Sequence, residues 1–195
     1  GKTAFGHWLA SQIYRPIQIE RGSDLFSPYV GVAEMNIAAA FEKACRNEAV
    51  LMIDEVDSFL QDRRRAKNSW EITRINEMLT QIETFPGILI ASTNFIDHLD
   101  PASLRRFDLK LHFGYLLPGQ IRRLLFSYCR ILDIPDPSGE DLAMLESLET
   151  ATPGDFAAVA RQHRFQPFPD ARGLAQAVIA ESEIKTHDSR RIGFL

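Results

Sequence analysis

Val50-Leu51-Met52-Ile53-Asp54-Glu55 (VLMIDE) is the stretch on which the fold turns. Its four apolar residues run without alternation, the pattern of a strand buried on both faces of a parallel sheet. Two carboxylates follow at once. Outward from this run the same grammar repeats. Ile17, Gln18 and Ile19 alternate like a short strand, Gly87-Ile88-Leu89-Ile90-Ala91 reads as a second buried strand, and 110–113 as a third. Between them lie helix patterns: 2–14, ending before Pro16; 32–47, with Ile37, Phe41, Ala44 and Cys45 on one face; and a helix marked by Ile72, Ile75, Leu79 and Ile82. Strands alternating with helices predict an α/β fold with a parallel sheet and right-handed crossovers. After Pro118 no strand pattern occurs. Ile121, Leu124, Leu125, Tyr128 and Leu132 form one helix face and Leu142, Leu145 and Leu148 another, with further helices over 154–165 and 172–186. The expected organisation is an α/β core over 1–116 and a small all-helical subdomain over 117–195.

The length, 195 residues, suits one α/β domain with a small satellite. A net charge of −4 gives no global reason to expect nucleic acid or an acidic membrane surface as partner. No apolar run is long enough to span a membrane. Cys45 and Cys129 both fall in helical patterns and are expected to be buried, small and apolar, in the cytoplasm or another reducing compartment. No cysteine or histidine pair has zinc-ligand spacing, and no HExxH sequence occurs within the chain.

Open α/β sheets bind ligands at the carboxyl ends of their strands, which is where Asp54 and Glu55 stand. One or two carboxylates beside phosphate oxygens suit Mg²⁺. Gly1-Lys2-Thr3 leads straight into a helix and reads as the end of a GxxxxGKT phosphate loop, in which backbone N–H groups cradle phosphates, the lysine meets the β/γ-phosphates and the hydroxyl ligates Mg²⁺. Ser92-Thr93-Asn94 follows the next buried strand, and an asparagine there can position a lytic water. Asp100-Pro101-Ala102-Ser103-Leu104-Arg105-Arg106-Phe107-Asp108 carries paired arginines. A guanidinium that reaches a neighbour's γ-phosphate neutralises transition-state charge.

GKT, IDEVD, ASTN and LDPASLRRFD, in that order and at this spacing, resemble the AAA family of ATPases across nearly the whole chain. The resemblance implies a P-loop NTPase fold with a helical lid. It makes Gly1, Lys2 and Thr3 the end of Walker A, and Asp54 and Glu55 Walker B. Asp54 and Thr3 would hold Mg²⁺, Glu55 would activate water, Asn94 would be the first sensor, and Arg105 and Arg106 the trans-acting fingers. The adjacent Arg-Arg form is similar to that of the microtubule-severing and membrane-remodelling members, though position 109 is Leu where the family's longer form has another arginine. Thr152-Pro153-Gly154-Asp155-Phe156 resembles the lid segment whose glycine packs near the adenine and ribose.

Pro28-Tyr29-Val30-Gly31 lies where family members carry a first pore loop, and Arg63-Arg64-Arg65-Ala66-Lys67 where they carry a second. A tyrosine can grip an extended polypeptide by packing and its polar tip, without sequence preference. The resemblance implies a homo-hexameric ring, since a nucleotide cradle on one subunit and a finger from the next need a head-to-tail interface. The expected activity is hydrolysis of Mg-ATP to remodel, unfold or thread protein substrates. An ATP-driven switch acting on a partner complex without threading uses the same catalytic residues. A nucleic-acid motor has only the 63–67 run in its favour. Lacking most of the phosphate loop, the 195 residues alone are expected to bind ATP weakly and to be inactive.

Overall fold

In a computed structural model, which describes residues 1–29, 31–61, 68–146 and 148–187, VLMID forms the middle strand of a three-stranded parallel sheet. β2 (Val50–Asp54) lies between β1 (Ile17–Arg21) and β3 (Leu89–Ala91). Register runs from Ile17 opposite Val50 to Arg21 opposite Asp54, and from Leu51 opposite Leu89 to Ile53 opposite Ala91. Val50, Leu51, Met52 and Ile53 are fully buried, so the unbroken apolar run is explained by cover on both sheet faces.

Successive side chains on a strand point to opposite faces, and each face has its own cover. On one, α1 (Lys2–Gln12) passes over Met52. A Cβ added at Gly6 would stand 2.7 Å from the Met52 sulfur, which fixes the closeness of that approach. On the other, Leu51 and Ile53 join a core with Ile37, Phe41 and Ala44 of α3 (Val32–Arg46) and Ile75, Met78 and Leu79 of α4 (Ser69–Thr84). The short α2 (Gly22–Leu25) follows β1, a 3-10 turn (Val56–Ser58) follows β2, and α5 (Pro101–Leu104) starts from Asp100, whose carboxylate accepts the Ala102 N–H at 2.9 Å.

Three local expectations fail for geometric reasons. Residues 110–113 form no strand; among the described residues β3 is the edge of the sheet, and a strand exists only where a neighbouring ladder pairs with it. Cys45 is exposed; it is turned about 100° from Ala44 on the helix, and Ala40 takes its place in the core. Ile72 is 37% exposed, while Met78, outside the expected stripe, is buried.

The chain separates into two compact units, Lys2–Leu111 and His112–Leu195, the latter with Gly1. Among its described residues the second is all helical: α6 (Pro118–Ile131), α7 (Gly139–Leu145), α8 (Pro153–Gln162) and α9 (Ala171–His187). They close on Ile121, Leu125, Cys129, Leu145, Phe156, Val159, Leu174 and Val178. Burial, helped by the charges of Asp136 and Asp141, pushes the Cys129 thiol up, so it stays protonated. Two N-termini are closed by reciprocal caps. Asp141 accepts from the Ser138 N–H at 2.9 Å and hydroxyl at 2.7 Å, and Asp155 from the Thr152 N–H at 2.7 Å and hydroxyl at 3.0 Å. Arg172 of α9 ties to Glu140 and Asp141 of α7. No helix among the described residues is long and apolar enough to cross a membrane.

Candidate active site at the carboxyl end of the central strand

β2 delivers Asp54 half-buried and Glu55 exposed. Asp54 is gripped from two sides. Its Oδ1 accepts from the Ser92 hydroxyl, and its Oδ2 lies 3.4 Å from the Thr3 hydroxyl in the first turn of α1. Ser92 is buried because it continues the ladder beyond β3: its N–H donates to the Ile53 carbonyl at 3.0 Å, and its own carbonyl accepts the Val56 N–H at 3.0 Å. Two residues on, Asn94 Oδ1 accepts from Lys2 Nζ. Lys2, Thr3, Asp54 and Asn94 thus come together from sequence positions up to 92 apart.

Glu55 has φ 59 and ψ 54, in the left-handed region. Among the described residues the other non-glycine positions with positive φ, Tyr14, Glu48 and Asp133, all sit just past helix ends, where a left-handed residue closes the last turn. Glu55 instead follows a strand. Such a conformation costs on the order of 1–3 kcal/mol and persists only where the surroundings over-determine it. Here they do. The Val56–Ser92 bond fixes the next peptide, and Gly22 presses on the turn from β1's side. A Cβ at Gly22 would stand 2.3 Å from the Glu55 carbonyl oxygen and 3.4 Å from that of Asp54. Thr93 bridges the same turn, its hydroxyl donating to Asp57 and accepting the Phe95 N–H at 2.9 Å.

The donor set is a hydroxyl and a carboxylate sharing one locus, beside an ammonium and the start of an 11-residue helix. Hard oxygen donors fit Mg²⁺, and a helix start with a lysine fits phosphate. Among the described residues no cluster of three or more His, Cys, Asp or Glu could hold a metal. Mg²⁺ at the Thr3–Asp54 pair would take phosphate oxygens and water for the rest of its shell.

The paired arginines differ. Arg106 is bound within its own unit, its Nε to Glu83 of α4 and a terminal nitrogen to the Ala102 carbonyl at 3.0 Å. Arg105 is exposed and makes no ion pair or side-chain hydrogen bond among the described residues. Tyr29 is 73% exposed, its N–H on the Ser27 hydroxyl at 3.2 Å, and Gly31 opens α3 with φ 85. Only glycine adopts that conformation at no steric cost. Val30 and the 63–67 run lie outside the described residues. Gly1 is exposed ahead of α1, and Gly154 is exposed in the first turn of α8, in the second unit. Sequence reasoning passed over Ser92, Gly22 and Glu83. Ser92 had a signal, as a hydroxyl one residue past a buried strand; Gly22 and Glu83 act only through distant contacts.

Among known proteins, the chain is 36% identical over 133 residues to an ATP-dependent zinc metalloprotease FtsH of Lachnoclostridium phytofermentans, a match covering 63% of this chain and 23% of that protein. It is 31% identical over 179 residues to spastin of Drosophila virilis, covering 86% and 23%. The chain therefore spans about a quarter of the length of these relatives. The crystal structure of the FIGL-1 AAA domain in complex with ADP superposes with a TM-score of 0.69 over 97% of this chain and 73% of that one, at 21% identity, a likeness of fold. The model of the ATPase family associated with various cellular activities (AAA) matches residues 1–115, and this chain belongs to that family.

Proposed function

We propose that this chain is the motor module of an ATPase that hydrolyses Mg-ATP in a ring of identical subunits, six by family resemblance, and uses the turnover to remodel or thread polypeptide. The observation that carries the reading is the strained Glu55, held exposed beside an Asp54 already fixed by two hydroxyls. Thr3 and Asp54 would hold Mg²⁺, which when bound neutralises charge on the phosphate oxygens. Lys2 binds the phosphates. The Glu55 carboxylate orients the attacking water and takes its proton. Asn94, its Oδ1 occupied by Lys2, keeps its Nδ2–H group to orient that water. Arg105 is the guanidinium offered to the next subunit, and Arg106, tied to Glu83, braces it. In related NTPases such a finger contributes about 10³–10⁵ in rate. The exposed Tyr29 is the contact for polypeptide.

The test is the ATPase rate of the full-length protein with and without an unfolded protein. Glu55→Gln should lower kcat by at least about 10² while ATP still binds. Unfolded protein should stimulate the wild type, and Tyr29→Ala should remove the stimulation. A rate that needs Glu55 yet ignores polypeptide would refute threading and leave the partner-switch reading.

A further inference from the structure

Three aromatic rings and one guanidinium form a column beside the Tyr29 loop. Phe59, fully buried just after the 3-10 turn that follows Glu55, stacks on Phe26 with centroids 4.8 Å apart and planes at 26°. The Arg74 guanidinium lies over the Phe26 ring, 4.9 Å from its centroid, and over the Trp70 ring, 4.6 Å from its centroid. The Arg74 guanidinium is thus shared between two ring faces. Phe26 and Trp70 stay 39% and 43% exposed, and burying them does not account for an arginine held between them. Cation–π contact between a guanidinium and two rings does.

The column's position gives it a use. Phe26 is the residue that follows α2, three before Tyr29. α2 is only four residues long and is gripped at both ends by the catalytic turn: Gly22 against the Glu55 carbonyl, and Phe26 on Phe59. A shift of the Glu55 turn would press on α2 at both of these points, and α2 leads towards Tyr29. Arg74 and Trp70, on α4, clamp Phe26 from outside so that the displacement is passed along the chain instead of being absorbed by rotation of the ring.

We propose that Phe26 and Arg74 are positioning residues that couple the Glu55 turn to the Tyr29 loop, with α2 as the lever between them. This rests on the reading of that loop as the polypeptide contact.

The experiment measures ATPase turnover of the full-length protein, basal and with an unfolded protein, for Arg74→Ala, Arg74→Lys, Tyr29→Ala and the Arg74→Ala/Tyr29→Ala pair. Arg74→Met, which keeps the aliphatic stem, replaces Arg74→Ala if that variant does not fold. Arg74→Ala should keep basal turnover within about twofold and lose stimulation by about fivefold to tenfold, two exposed cation–π faces acting together. Arg74→Lys, still cationic, should recover part of it, and the double variant should be no worse than Tyr29→Ala. Full stimulation in Arg74→Ala, with Tyr29→Ala defective, overturns the coupling and leaves the loop reading standing. Basal and stimulated rates falling by one common factor overturn it too, since that is a structural effect. Full stimulation in Tyr29→Ala removes the loop reading itself, and the coupling with it.

Discussion

Gly22→Ala tests whether the Glu55 turn is held in place by steric fit. The added methyl would stand 2.3 Å from the Glu55 carbonyl oxygen, and Cβ atoms essentially never approach closer than 3.0 Å. The two backbones must part by about 0.7 Å or more, and neither gives easily. Gly22 and Leu25 are both buried, and the Glu55 turn is bonded through Val56 to Ser92. Overpacking of this kind costs about 1–3 kcal/mol, a fall of roughly 4–15 °C in the melting midpoint of a unit this size. The larger effect is on rate. A catalytic group misplaced by about 1 Å loses on the order of 10² in turnover, so kcat of the full-length ATPase should fall about 30- to 100-fold. ATP affinity by calorimetry should stay within about threefold, because the Asp54 carbonyl, 3.4 Å from the added methyl, is at ordinary contact distance and the Asp54 carboxylate stays on the Thr3 and Ser92 hydroxyls. A folded Gly22→Ala enzyme with wild-type kcat would refute the claim that this contact sets the Glu55 position. A loss of affinity matching the loss of rate would refute its confinement to Glu55.

Ser92→Ala removes one of two hydroxyls on Asp54; a hydrogen bond to a charged group is worth about 1.5–3 kcal/mol, so half-saturation by Mg²⁺ in a titration of ATPase rate should rise by about tenfold or more. Arg105→Ala should lower kcat by about 10³ or more with ATP binding intact. Glu83→Ala breaks a partly exposed pair worth about 0.5–1 kcal/mol and should cost only about two- to fivefold, so equal effects of the two would contradict the separate roles of Arg105 and Arg106. In the second unit the Ser138 hydroxyl and amide hold the Asp141 carboxyl below its usual range, with Arg172 helping and burial opposing. The unfolded chain then binds the proton more readily, so this stabilisation is present above the ordinary carboxylate pKa and is lost as pH falls through the lowered folded value. Asp141→Asn should lower thermal stability at pH 7, and the difference from the wild type should shrink as pH falls through the lowered carboxyl pKa, flattening the acid side of a melting-midpoint profile.

What could be read in the sequence was whatever rests on one segment's own chemistry. The unbroken VLMI run announced a strand covered on both faces, and Lys2, Thr3, Asp54 and Asn94, read as motif pieces, do come together. The failures share one cause. Residues 110–113 have a strand's composition, but pairing depends on a neighbour that no local pattern supplies. Cys45 and Ile72 were placed by spacing alone, and a helix face is bounded by what packs on it. Arg105 and Arg106 are identical neighbours in sequence, and what separates them is that Arg106 bonds Glu83, 23 residues away, and the Ala102 carbonyl. Gly22 reads as an ordinary helix start, and its constraint on Glu55 exists only after β1 and β2 pair in register, Arg21 opposite Asp54.

That register explains why chemistry and motion can share this corner of the fold. Parallel pairing brings the ends of β1 and β2 level, so the chain leaving β1 as α2 must lie against the chain leaving β2 as the Glu55 turn. No side chain fits between them, hence glycine at 22 and a left-handed residue at 55. A backbone pair this close has no slack. In the coupling proposed above, a change in the turn when phosphate is bound or lost would move α2 instead of being dissipated in side-chain rotation. Interfaces packed to this closeness respond in discrete steps instead of deforming continuously. The Phe26–Phe59 stack, with Arg74 and Trp70 outside it, lies at the other end of the same lever. The strain at Glu55 is then more than a means of aiming a carboxylate: it is the place where relief of about 1–3 kcal/mol can bias the loop that begins one residue after Phe26.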